Sequence, residues 1–231
     1  MNDQELKDLV DKYKPNPQVL EAMSRIKVVC TVGPSASGKT TVMKALVEQS
    51  QDFEFVLDET SRQPRAGEVD NVDFLFRTTD QIIADIQSGN LVQVALGPNG
   101  DFYCTRPQSY PLGTGLIALV PAAVKEFRQL PIGSFKAAFI VPATFELWQD
   151  WLNKQARLSN WTHQQLAKRL DEAKVSYEFA LNDSAMKFVL NDNVNAAARR
   201  LAQVADSQAP SDEYQARQVA QTNYQKLISG I

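Results

Sequence analysis

The 231-residue sequence holds one histidine, two cysteines and no long apolar run, and each scarcity closes off a class of function. Cys30 and Cys104 are too few for a disulfide framework and fit no zinc spacing, so a reducing, cytoplasmic setting is expected. His163 falls in the first turn of a predicted helix, where a capping or solvated role outweighs catalysis, so chemistry built on a histidine base is not expected. No stretch approaches the roughly 18 apolar residues of a membrane helix. Met1 to Val10, MNDQELKDLV, carries acids where a signal peptide has a basic start and an apolar run. Neither membrane association nor export is expected. Basic residues number 24 against 27 acidic ones, a net charge of -3, which supplies no cationic excess to neutralise a nucleic-acid backbone. A nucleic-acid partner is therefore not expected. What is present is ordinary globular composition, 44% hydrophobic and 22% charged, with ample length to bury a core.

Strands and helices alternate along the chain. Ile26 to Val32, IKVVCTV, is β-branched and too short for a stable helix, the pattern of a buried parallel strand. A glycine loop follows, then Lys39 to Ser50 with Val42, Met43, Leu46 and Val47 at helical spacing. Further strands are predicted at Phe53 to Leu57, Val72 to Phe76, Leu91 to Leu96, Asp101 to Thr105, Gly115 to Val120, Phe135 to Val141 and Met186 to Leu190. Thr79 to Ser88 reads as a helix closed by Gly89, and Pro121 suits a first helical turn. Thr162 and Gln165 form a capping box for a helix carrying Leu166, Leu170 and Ala173. Asn193 to Ser207 repeats the apolar spacing, and Trp148, Trp151 and Leu152 share a helical face assigned to the core. The alternation argues for an α/β fold with a mostly parallel central sheet flanked by helices. Closely spaced strands from Val72 to Thr105, with a turn at Gly97-Pro98-Asn99-Gly100, argue for a small mixed β region beside it. Residues 1–24 read as an N-terminal extension whose helix, Gln4 to Tyr13, is stopped by Pro15 and Pro17. Residues 208–231 read as a C-terminal helical tail from about Asp212 to Ile228. Both ends are expected on the core or on a second subunit, which leaves a homodimer among the expected states.

Gly33-Pro34-Ser35-Ala36-Ser37-Gly38-Lys39-Thr40 fits the spacing Gly, four residues, Gly-Lys-Ser/Thr, between a predicted strand and a predicted helix. Such a loop turns successive backbone N–H groups toward a polyphosphate, which then sits on the positive end of the following helix. Lys39 is expected to reach the β- and γ-phosphates, Thr40 to ligate Mg²⁺ bridging them, and Thr41 to continue the binding run. A nucleoside triphosphate with Mg²⁺ is the expected ligand.

Downstream, Thr60-Ser61-Arg62-Gln63-Pro64-Arg65-Ala66-Gly67-Glu68-Val69 sets two arginines about a proline. Two guanidiniums can chelate one phosphate, and Glu68 is expected to order the loop by pairing with a neighbour. Together, GPSASGKT and TSRQPRAGEVDNVDFLF resemble the guanylate kinases, over roughly Ile26 to Gln203. The resemblance implies a P-loop NTPase fold in which residues 25–207 form the guanylate-kinase-like domain. Its implied parts are the phosphate loop at 33–40, a nucleoside-monophosphate-binding region over about 58–105 and a helical lid over about 153–169. The implied reaction is transfer of the γ-phosphoryl of ATP to GMP or dGMP. Lys39, Arg62, Arg157 and Arg169 are the implied catalytic residues, the last two as lid cations. Arg62, Arg65 and Tyr103 would hold the acceptor phosphate, and Asn191 stands where the family's segment lies beside the donor adenine. Lid closure would exclude water as a competing acceptor.

The sequence departs from the family at the base. A glutamate that in guanylate kinases accepts hydrogen bonds from the guanine N1–H and amino group is Gln93 here. The acidic positions of the strand now reading LIALVP are Leu119 and Pro121. Asp58 stands where the family has a serine facing the base, and Phe74 where a tyrosine meets the acceptor phosphate. Thr105 keeps a hydroxyl near the base, and Ala36 replaces the second glycine of the loop. One lost buried hydrogen bond costs about 1 to 3 kcal/mol, so base recognition is altered more than phosphate recognition. Three readings stay open: a guanylate kinase with a rebuilt base pocket, a kinase of the same fold with another acceptor nucleotide, or a non-catalytic binding module. In the second, Gln93 would match an adenine edge and Asp58 an amino group. The intact phosphate loop weighs against the third.

Overall fold

The computed structural model describes residues 2–64, 67–97 and 100–230. Arg65 of the arginine pair and Pro98-Asn99 of the expected hairpin turn lie outside the described residues. In chain order the first elements are α1 (Asp3–Asp11), α2 (Pro17–Met23), β1 (Lys27–Val32), α3 (Lys39–Gln49), β2 (Phe53–Phe55), β3 (Glu59–Thr60), β4 (Leu75–Phe76), α4 (Thr79–Ser88), β5 (Gln93–Leu96) and β6 (Phe102–Thr105). There follow β7 (Thr114–Ala118), α5 (Pro121–Phe127), β8 (Ser134–Pro142), α6 (Phe145–Leu158), α7 (His163–Asn182), β9 (Lys187–Asn191), α8 (Val194–Ala205) and α9 (Glu213–Ser229). The chain divides into two compact units. One comprises Met1–Lys27, Phe55–Gly115 and Phe127–Ser134, the other Val28–Glu54, Leu116–Glu126 and Phe135–Ile231.

The second unit is built on a five-stranded parallel sheet in the order β2-β7-β1-β8-β9, the expected α/β core. In β1 every residue from Val28 to Val32 is buried, which is why this strand reads as a continuous apolar run rather than an alternating one. Val42, Met43 and Leu46 of α3 pack with Ala197, Ala198, Leu201 and Val204 of α8 over Val29, Leu116 and Ile140. Elsewhere in this unit Phe139 meets Tyr177 and Phe188 at 5.0 and 5.8 Å between ring centroids, and Trp148 stands edge-on to Tyr177. The tail helix α9 packs on α7 and β9 of its own chain and buries Ala216, Ala220 and Leu227. Both hydrogen bonds of the Thr162–Gln165 capping box form, and they open α7.

The first unit carries the mixed sheet, ordered β4-β3-β6-β5, with β3 parallel to β4 and β6 antiparallel to both β3 and β5. Ile82 and Ile86 of α4 cover it with Leu91, Val94, Phe102 and Cys104; α1 adds Leu6, Leu9 and Val10 to the same cluster, and Tyr13 joins from just beyond that helix. The Tyr13 hydroxyl accepts the Leu91 N–H at 2.8 Å and donates to the Leu91 carbonyl. Two local expectations are corrected. Pro17 does not merely stop a helix but opens α2 at its first position after the Asn16 cap, where its missing N–H costs nothing. The strand expected from Val72 shortens to Leu75–Phe76, because Val72 and Asp73 close a turn onto the Val69 carbonyl and Val72 is exposed.

Candidate functional site

Residues Gly33 to Gly38 connect β1 to α3, and Gly38 is the residue that caps α3. Gly33 and Gly38 adopt φ of 149° and 90°. A Cβ on Gly33 would sit 3.0 Å from the Ile140 carbonyl oxygen and from Ser37 Oγ, and one on Gly38 would run into the Asn191 amide. Ala36, the replaced glycine, holds φ at 61°, a left-handed conformation that costs an L residue about 1 to 2 kcal/mol. No side chain caps α3, so the first-turn N–H groups of Lys39, Thr40 and Thr41 face the loop. Lys39 Nζ donates to the carbonyls of Gly33 at 2.7 Å and Pro34 at 2.9 Å. Burial, with the Arg169 charge adding to it, pulls this ammonium down to about 8. Thr40 and Thr41 are exposed on the first turn of α3.

Two side chains brace the loop from behind. Trp148 of α6, fully buried, donates its indole N–H to the Ser35 carbonyl at 2.8 Å. Asn191, at the end of β9, donates to the Ser37 carbonyl at 3.0 Å. The sequence marks Trp148 only as an apolar face position, because its one polar atom carries no pattern that spacing can reveal.

Around this loop lie two hollows. The larger, about 550 Å³, brings Lys39 together with Arg169 and Glu172, and the apolar run Leu119, Val120 and Pro121 also lines it. Arg169 pairs with Glu172 at 2.7 Å and lies 5.5 Å from the Trp161 ring centroid. The smaller, about 360 Å³, gathers Gly38, Thr41, Trp151, Leu158, Asn191 and Val194. Arg157 is exposed in the last turn of α6 and lines neither hollow.

The first unit holds the remaining described candidates: Asp58, Gln93, Tyr103 and Thr105 in or beside the mixed sheet, and Arg62 in the loop after β3. Arg62 makes a two-pronged bond to Glu68 at 2.6 and 2.7 Å, donates to the Gln63 carbonyl at 2.9 Å, and lies over Phe74 and Phe76. Glu68 and the neighbouring Tyr103 hydroxyl raise its pKa further still. Tyr103 meets Phe74 edge-on at 6.3 Å. Gln93 is paired in register with Thr105, whose hydroxyl shares a 2.9 Å hydrogen bond with Tyr110. Asp58 pairs with no cation among the described residues, and burial pushes its carboxyl up to about 7. Glu59 is clamped by Arg77 at 2.9 Å and Arg106 at 2.7 Å, and both guanidiniums also reach Asp85, at 2.6 and 3.1 Å. This four-residue cluster has no signature in the sequence because its members come from β3, α4 and the segments after β4 and β6.

A phosphate loop running into a helix on a parallel sheet, with a separate arginine-bearing mixed sheet, defines an α/β nucleotide-binding protein. Residues 25–208 match the family model described as guanylate kinase. The guanylate kinase of Lactococcus lactis is 31% identical over 183 residues, 76% of this chain and 85% of the relative. That of Nocardia farcinica is 27% identical over 188 residues, 79% of this chain and 95% of the relative. Among solved structures, the guanylate kinase from Anaplasma phagocytophilum aligns with a TM-score of 0.53 at 17% identity, covering 79% of this chain and 85% of that one, a likeness of fold. The chain belongs to the guanylate kinase family.

Proposed function

We propose that this protein transfers the γ-phosphoryl group of ATP to GMP or dGMP, acting in the cytoplasm. The observation that carries the reading is the braced phosphate loop, in which Lys39 uses two of its three N–H groups on loop carbonyls and keeps one for a phosphate oxygen. Gly33 to Thr41 would cradle the ATP phosphates, with Asn191 beside the donor base. Thr40 fits Mg²⁺, since its exposed hydroxyl stands at the helix start and this ion keeps several waters while taking most of its remaining ligands from substrate phosphates. Residues 25–207 would form the kinase domain, with 58–105 holding the acceptor and 153–169 closing as the lid. Arg62, Arg65 and Tyr103 would bind the acceptor phosphate, while Arg169 and Arg157 would gather round the transferring group. Such a reaction needs positioning and charge neutralisation more than a protein base, which this set supplies. Among the described residues no helix is long and apolar enough to cross a membrane.

The test is a coupled assay for ADP formation with Mg-ATP and GMP, dGMP, AMP, CMP or UMP, with Lys39→Ala as the blank. Turnover confined to GMP and dGMP, and lost in Lys39→Ala, is expected. Turnover with a different base alone would move the chain to another acceptor, and ATP binding without turnover on any acceptor would refute the kinase reading.

A further inference from the structure

The two braces of the phosphate loop spring from one junction. Asn191, which holds the Ser37 carbonyl, stands beside Pro142 in the register of β9 against β8. Pro142 closes β8, and the chain then passes through the Thr144 cap into α6 and Trp148, which holds the Ser35 carbonyl. The braces differ in how they are secured. Asn191 is kept in place by the ladder between its strand and β8, whereas Trp148 stands on a helix that has left the sheet. Its position therefore depends on how the chain turns after Pro142.

That turn is held by the tail helix. Asn223 of α9, 2% exposed, donates its amide to the buried Pro142 carbonyl at 2.9 Å. The helix α9 lies past residue 208, where the family match ends. Burial raises the pKa of the Tyr177 hydroxyl, the Asn223 side chain partly offsets the rise, and Tyr177 stands edge-on to Trp148 at 6.4 Å. A second contact from α9 to α6, Lys226 with Glu146, is exposed to solvent and contributes little. An amide buried on a carbonyl fixes a direction instead, because neither group has water to turn to.

We propose that Asn223 is a positioning residue for the ATP site: by holding the Pro142 carbonyl it fixes the start of α6, and with it the Trp148 indole that orients the Ser35 carbonyl of the phosphate loop. The inference rests on the reading of that loop as an ATP site and extends it to the tail. Asn223 lines neither hollow beside the loop, so it acts only through these intermediaries. The loop carbonyls set the pose of the backbone N–H groups that face the phosphates. The effect therefore belongs to the donor nucleotide and not to the acceptor, whose expected residues lie in the other compact unit.

Titration calorimetry of the full chain with Mg-ATP and, separately, with GMP tests it. Asn223→Ala is expected to weaken Mg-ATP at least about fivefold and to leave GMP within about twofold of the wild type. Arg217→Met loosens the same helix against α7, where Arg217 donates to the Leu181 carbonyl at 2.7 Å. That variant should lower the urea midpoint and leave both affinities within about twofold. In a Trp148→Phe background Asn223→Ala should weaken Mg-ATP by no more than about twofold, because the route it acts through is already cut. Unchanged Mg-ATP affinity in Asn223→Ala, equal weakening in Arg217→Met, or an undiminished effect in the Trp148→Phe background each overturn the inference. If Asn223→Ala does not fold, Asn223→Leu, which fills the space without the donor, carries the same expectations. Failure of both to fold overturns it too, since Asn223 would then serve the core alone. A wild type that binds Mg-ATP yet phosphorylates no nucleotide sinks the kinase reading and leaves this assignment standing, whereas one that does not bind Mg-ATP sinks both.

Discussion

Asn191 Nδ2 donates to the Ser37 carbonyl at 3.0 Å, and the same amide fills the space that a Cβ on Gly38 would occupy. One side chain at the end of β9 thus fixes both the direction of a loop carbonyl and the identity of the loop's last glycine. Gly38→Ala should destabilise the protein by several kcal/mol, through the clash and the 90° φ together. Asn191→Ala should cost about 1 to 3 kcal/mol and weaken Mg-ATP binding about tenfold. In the double variant the clash partner is gone, so the two losses should sum to more than the combined effect in a denaturation cycle. Strict additivity would show that the amide does not restrict residue 38.

The Trp148 indole serves the same loop from α6. Trp148→Phe keeps most of the buried ring but leaves the Ser35 carbonyl without its donor. A loss of about 2 to 3 kcal/mol in urea unfolding is expected, with a weaker Mg-ATP titration. Unchanged nucleotide affinity would make Trp148 a packing residue only.

Arg62 is held flat by its two-pronged bond to Glu68 and by Phe74 and Phe76. A lysine at this position has neither the fork nor the planar surface. Steady-state kinetics of Arg62→Lys should show the KM for GMP raised at least about tenfold with the KM for ATP nearly unchanged, the loss expected of one charge-assisted pair. A parallel rise in both would place the defect in the fold rather than the acceptor site.

Asp58 also makes stability depend on pH. Its carboxyl, ordinarily at 3.8, stands at about 7 in the folded protein because burial disfavours its charge. The folded state therefore holds the proton more tightly than the unfolded state. This contribution is fully present below about pH 4 and is lost as pH rises to about 7, amounting to a few kcal/mol. Cys104 and Tyr110, which the Asp58 charge raises further, stay neutral across that range. Asp58→Asn should gain on the wild type as pH rises, with urea midpoints compared at pH 4.5 and pH 8. A gap of constant size would contradict the assignment.

The strand, loop and helix of the triphosphate site are legible in the sequence because each is local: a β-branched run, glycines at fixed offsets and an apolar helical stripe. Gly89, at φ 68°, and the Thr162–Gln165 box are legible for the same reason. Pro17 misleads because a proline that ends one helix and one that begins the next look alike without the Asn16 cap in view. Val72 misleads because β-branching favours a strand only where a pleated surface exists to receive it. The cluster of Glu59, Arg77, Asp85 and Arg106 is assembled wholly by tertiary structure, beyond the reach of spacing.

That cluster also decides how firmly β3 keeps its place in the mixed sheet. Only two residues of β3 pair with β6, and a slip of one residue would turn Glu59 to the opposite face and send Asp58 under α4. Two guanidiniums that grip Glu59 oppose the slip, so the alignment of one face of the sheet is pinned by charges that stand on the other. Substitutions at Arg77, Asp85 or Arg106 therefore act on the register of β3 without touching a single residue of the opposite face.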